Sequence, residues 1–113
     1  MIEKEREEKE VVRILTDPKL SAIKKMIEKD RAIDCLLLLH ANKGKWKNAK
    51  DFMKENNLTL NDGTFRARMI EIEQLGLSKS KRIDSLKKYY LQTDFGEKIA
   101  DLILEFFEKL EFC

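Results

Sequence analysis

The stretch from Trp46 to Gly96 constrains the fold more than any other part of the chain. Ala49, Phe52 and Met53 share the inner face of a short helix near Asn48–Asn56. Asn56-Asn57 ends it, and Leu58 opens the turn and plugs the core. Either Thr59 or Asn61 caps the next helix, Thr59-Leu60-Asn61-Asp62 being a weak capping box. Phe65, Met69 and Ile72, spaced by four and three, give that helix an inner face from Asp62 to Leu75. Gly76 stops it and Leu77 turns the chain back into the core. Two strand-like runs follow, Leu77–Ile83 and Leu86–Leu91, around an Asp84-Ser85 turn. Tyr89-Tyr90 favours strand. Thr93 or Asp94 caps a last helix, with Glu97 in its first turn.

The flanks are helical. Residues 2–15 begin very polar and carry Val11, Val12, Ile14 and Leu15 late, a pattern that either frays or packs outside its own subunit. Asp17-Pro18 starts a second helix by pairing a side-chain cap with a residue that needs no N–H. Leu20, Ile23, Met26 and Ile27 carry it to about Lys29. Residues 30–41 form a further, centrally buried helix with Ile33, Leu36, Leu37 and His40 on one face and Leu38 and Leu39 widening it; a break near Asp30 is left open. Asn42-Lys43-Gly44-Lys45 is its stop. The last helix carries Phe95, Ile99, Leu102, Ile103, Phe106, Phe107 and Leu110, a wider apolar face than one small core needs. That width predicts a homodimer using Val11, Val12, Leu15, Leu102, Phe106, Phe107 and Leu110. The alternative is that Phe106, Phe107 and Phe112 cover the N-terminal helix of the same subunit.

At 113 residues the length suits one domain. The expected divisions are N-terminal helices at 1–29, a helix-turn-helix with hairpin at 30–92, and a dimerisation helix at 93–113. The formal net charge is only +2, but it is unevenly spread. Lys43, Lys45, Lys47, Lys50 and Lys54 face one acid, Asp51; Lys79, Lys81, Arg82, Lys87 and Lys88 face only Asp84; the segment from Glu97 onward is acidic. A basic middle of this kind attracts phosphate without regard to sequence, although a solvated Lys/Glu-rich surface gives the same census. Cys35 and Cys113 have no CxxC spacing and His40 is the one histidine, so neither a zinc site nor any other metal or cofactor is expected. Cys35 reads as a small buried hydrophobe, and Cys113 could cross-link chains if oxidised. Neither a signal peptide nor a membrane span is legible, which predicts a cytoplasmic protein with no membrane partner.

Phe65, Met69, Ile72 and the Leu75-Gly76-Leu77 turn resemble the apolar frame of the recognition helix in winged-helix regulators. Tyr89-Tyr90 followed by Thr93-Asp94-Phe95-Gly96-Glu97-Lys98-Ile99 is similar to the YYxLTxxGxxI signature that joins wing to last helix in MarR-, PadR- and ArsR-like regulators and small archaeal winged-helix proteins. The resemblance covers roughly residues 30–105 and is specific for fold, not subfamily. It implies a mostly α chain with a small β-hairpin wing (α+β), a winged helix-turn-helix with extra terminal helices. The sequence departs from the pattern at Gln92, where the family has Leu, which would shift the inward face of the second wing strand. It departs again in the basic lead-in KGKWKN at 43–48, and it lacks the metal cysteines of ArsR proteins.

The resemblance implies double-stranded DNA as partner and transcriptional regulation as function, with residues 62–75 in the major groove. Phe65, Met69 and Ile72 point inward, so Gly63, Ala67, Ile70, Glu71 and Gln74 point outward, with Thr64, Arg66 and Arg68 on the flanks. Gly63 and Ala67 allow close approach; Thr64, Arg66 and Arg68 reach toward DNA. Lys79, Lys81, Arg82, Lys87 and Lys88 form a wing clamp, and Lys45, Lys47 and Lys50 hold backbone ahead of the preceding helix. Trp46 packs over the core edge or lies against sugar-phosphate, and His40 is a hydrogen-bonded core-edge residue. No enzyme is expected: one histidine supports no catalytic triad, and phosphate-loop and dinucleotide motifs are missing. Two rival readings are a winged-helix protein-interaction module, marked by an exposed patch around Ile70, and a non-specific architectural DNA-binding protein.

Overall fold

The computed structural model describes residues 2–55, 60–83 and 87–113. The roles given to Asn56, Asn57, Leu58 and Thr59, and to Asp84, Ser85 and Leu86, lie outside the described residues. Among the described residues, six helices and three strands follow in order: α1 (Ile2–Thr16), α2 (Pro18–Ile27), α3 (Ala32–Ala41), β1 (Lys47–Asn48), α4 (Ala49–Glu55), α5 (Asp62–Gln74), β2 (Ser78–Arg82), β3 (Lys88–Gln92) and α6 (Asp94–Leu110). The strands form one antiparallel sheet in the order β1-β3-β2. The fold is therefore mostly α with a small sheet, a winged helix-turn-helix in which α4 and α5 are the helix pair and β2-β3 the wing.

Local chemistry sets the boundaries. The Asp17 carboxylate accepts from the Leu20 N–H at 2.9 Å, with Pro18 at the first helical position of α2. The break between α2 and α3, open in the sequence, falls at Arg31, which adopts a left-handed φ of 63° and supplies no side-chain cap. Asn61 caps α5: its side-chain oxygen accepts from Gly63 N at 2.8 Å and Thr64 N at 3.2 Å. The far end of α5 closes with two bonds, Leu77 N to Ile72 O at 3.1 Å and Gly76 N to Glu73 O at 2.9 Å. Gly76 has φ 78°, the left-handed geometry that this helix stop requires.

β1 is the element that the sequence did not announce. Lys47 and Asn48 pair with Tyr90 and Tyr89, extending the hairpin to three strands. Asn48 then caps α4, its side-chain oxygen accepting from Asp51 N at 2.9 Å. One residue thus ends a strand and starts a helix, and two paired residues are too few for a period-2 signal.

The core lies where α3 crosses α5, α6 and the sheet. Cys35, Leu36, Leu38 and Leu39 of α3 are buried with Phe52, Phe65, Met69, Ile72 and Leu77. Phe65 sits between Phe52 and Tyr90, each ring centroid 5.9 Å away, with the Tyr90 contact edge-on. Burial, with Asp34 adding to it, pushes the Cys35 thiol up to about 12, so Cys35 is an inert core residue. Gln92 is only 8% exposed and shares the inward face with Tyr90. The expected shift of that face does not occur: Gln92 takes the buried position, with its amide oxygen 3.4 Å from His40 Nδ1. His40 Nε2 faces Asp101 Oδ1 at 2.8 Å, tying α3 to α6.

The apolar stripes of the terminal helices do not cover each other. Val11, Val12, Leu15, Leu102, Phe106, Phe107 and Leu110 are all exposed, as is Phe112 at 90%. Coverage of α1 by Phe106, Phe107 and Phe112 within the subunit is therefore ruled out.

Candidate nucleic-acid interface

Strand alternation sorts the basic wing. Ser78, Ser80 and Arg82 pair with Gln92, Tyr90 and Lys88, and directly paired residues share a face of the sheet. Ser78, Tyr90 and Gln92 are buried, so this is the face turned toward α5. Arg82 and Lys88 stand at its outer end. Lys79 and Lys81 belong to the opposite face, where the Lys81 ammonium lies 4.1 Å from the centre of the Trp46 ring. The half-buried Trp46 ring thus carries a cation from the wing.

Helix α5 differs from expectation on one flank. Arg68 is not a reaching residue. Its side chain is 16% exposed, and its guanidinium meets Glu71 Oε1 at 2.8 Å and donates to the Asp30 carbonyl at 3.2 Å. Glu71, expected outward, is 19% exposed and also pairs with Lys29. The hydrogen bond from Lys29, reinforced by the Arg68 charge, holds the Glu71 carboxyl below its usual range. Arg68 and Glu71 therefore fasten α5 to the α2–α3 turn. Helical-wheel reasoning missed this because the α2–α3 turn, 38 residues earlier, covers that flank.

What remains outward on α5 is Gly63, Arg66, Ile70 and Gln74, with Thr64 and Ala67 partly covered. Arg66 is exposed and pairs through Nε with Asp62 at 3.1 Å, one turn back. Glu73 points to the wing, its carboxylate accepting from the Ser80 hydroxyl at 2.6 Å. That bond ties α5 to the wing.

Between them lies a cleft of about 160 Å³. Lys50, Arg66, Arg82, Lys87 and Lys88 line it, with Asn48, Ala49 and Tyr90 as the rest of its wall. Five of the sequence-predicted cations, from α4, α5 and the wing, thus converge on one spot. Lys45 and Lys79 are exposed elsewhere, and Lys47 is half-buried in β1. Burial pushes the Tyr90 phenol up, against the nearby charges of Arg66 and Arg82. Among the described residues no carboxylate lines the cleft, and no cluster of His, Cys, Asp and Glu could hold a metal ion. No described helix is long and apolar enough to cross a membrane.

A helix pair, a wing and a cationic cleft between them define a winged-helix protein with a basic face. No protein-family model matches the chain, and no curated protein matches it either. Among solved structures, the chain is similar to a crystal structure of a MepR mutant from a multidrug-resistant S. aureus clinical isolate. The TM-score is 0.58 at 14% identity, covering 96% of this chain and 78% of that one. At that identity the likeness shows a shared fold.

Proposed function

We propose that the chain is a single-domain, homodimeric DNA-binding protein that regulates transcription by occupying promoter DNA, and that it is not an enzyme. The N-terminal end of α5 enters the major groove, the wing lies along the backbone, and the apolar faces of α1 and α6 form the dimer contact. The observation that carries this reading is the convergence of Lys50, Arg66, Arg82, Lys87 and Lys88 beside an exposed helix of winged-helix geometry. With Arg68 committed to the interior, Arg66 is the arginine of α5 that can reach DNA. The similarity to MepR adds support at the level of fold.

The shape of the molecule favours the dimer. Its accessible surface is 8172 Å², whereas a compact chain of 13.4 kDa exposes about 6,500 Å². The radius of gyration is 16.2 Å against about 13 Å for a compact domain of this size. Much of the excess belongs to α1, whose described side chains are all exposed.

Replacing Arg66 with Glu tests the reading. Because Arg66 is exposed and its ion pair is of the weak surface kind, the fold should persist. Duplex binding, read by fluorescence anisotropy, should weaken by about 1–3 kcal/mol. Unchanged affinity in a folded variant would refute the docking of α5. A second reading, a protein-interaction module, is favoured by one observation: Ile70, on the outward face of α5, is 51% exposed. It predicts no duplex affinity even at low salt.

A further inference from the structure

The cleft between α5 and the wing is over-supplied with positive charge for the backbone contact proposed above. Lys50, Arg82 and Lys88 have no carboxylate partner among the described residues, and Arg66 shares its charge with Asp62 alone. Like charges held around one small space repel, and an anion that enters relieves them together. A DNA phosphodiester brings a single negative charge and lies along a continuous strand. The cleft is small, about 160 Å³. That leaves room for a small group with several charges. Arg66 from α5 and Arg82 from the wing carry planar guanidinium groups suited to phosphate oxygens, and Lys50 and Lys88 add mobile point charges.

We propose that this cleft binds a compact polyphosphate anion of the pyrophosphate class, and that its occupancy competes with DNA for the same cations. The second half rests on the DNA-binding reading; the first does not. A bound polyanion would neutralise Arg66 and the outer end of the wing together, leaving α5 without its reaching arginine. No covalent step is involved. Competition for shared cations suffices to release DNA.

Titration calorimetry of the full chain with sodium pyrophosphate, beside sulfate and chloride at matched ionic strength, tests the site directly. Saturable one-to-one binding is expected for pyrophosphate, at least tenfold tighter than for sulfate. It should weaken at least tenfold when Arg82 and Lys88 are both replaced by Gln, in a variant whose thermal unfolding matches the parent. Absence of saturable binding, parity with sulfate, or an unaltered affinity in the folded double variant would each overturn the site. In a second arm, pyrophosphate is added to a labelled duplex complex at constant ionic strength. Release of the duplex supports competition, and retention at saturating pyrophosphate overturns it. The two readings fail separately. Duplex binding without pyrophosphate binding removes the site and leaves the DNA-binding function standing, whereas pyrophosphate binding without duplex binding does the reverse.

Discussion

Arg66 and Arg68 are two residues apart and do opposite work. Arg66 projects from α5 with one exposed acid for company, while Arg68 joins Glu71 and Lys29 in a mostly covered ion cluster. Covered charges lose more when a partner is removed, because the survivor stays desolvated. Arg68→Ala should therefore cost about 2 kcal/mol of stability in urea denaturation, while leaving Arg66 exposed on the folded fraction. The cluster also has a pH signature. The Glu71 carboxyl is depressed in the folded state, so its contribution is present above its unfolded value of about 4.5 and is lost as pH falls through the lower folded value. Glu71→Gln should flatten the acid limb of the stability curve below that point. An acid limb identical to the parent's would show that Glu71 gains nothing from Lys29 and Arg68.

At the scale of elements, α5, the wing and α6 meet in a close joint. Thr93 caps α6 by accepting from Gly96 N at 3.0 Å and donates its hydroxyl proton to the Gly76 carbonyl at 2.6 Å. Thr93 N also bonds the Leu77 carbonyl at 3.2 Å. The start of α6 is thus laced to the stop of α5, and Gly96 lies so close that a Cβ there would sit 1.9 Å from the Leu77 oxygen. Gly96→Ala should cost at least about 2 kcal/mol, since backbone rather than a yielding side chain stands in the way; thermal denaturation would read it. An unshifted melting curve would mean that the joint can open at little cost. Much of this was legible in the sequence: the Gly76 stop, the Leu77 return and the entry into the last helix follow from residue type and spacing. β1 and the Arg68–Asp30 contact were not, because one is two residues long and the other joins positions 38 apart. The cations of the site were legible as residues, but their convergence was not. It depends on sheet register, which sends Arg82 and Lys88 to one face and Lys79 and Lys81 to the other.

The whole molecule measures 59 × 32 × 24 Å, with α1 standing clear of the body. Ile27, Ile33, Leu102, Ile103 and Phe106 line an apolar groove of about 350 Å³ along α6. Exposed Leu102 and Phe106 cost nothing to replace in a monomer but much in a buried interface. Leu102→Glu together with Phe106→Glu should convert a dimer into a folded monomer in sedimentation equilibrium. A parent chain that sediments as a monomer at micromolar concentration would remove the dimer from the account.

The most direct test of DNA binding is the affinity of the unaltered chain for a mixed-sequence duplex, measured by anisotropy across a salt series. With five cations around the cleft, log K should fall against log salt with a slope of about −3 or steeper. Absence of binding at low salt, or a slope near zero, would contradict the assignment of this basic face to DNA.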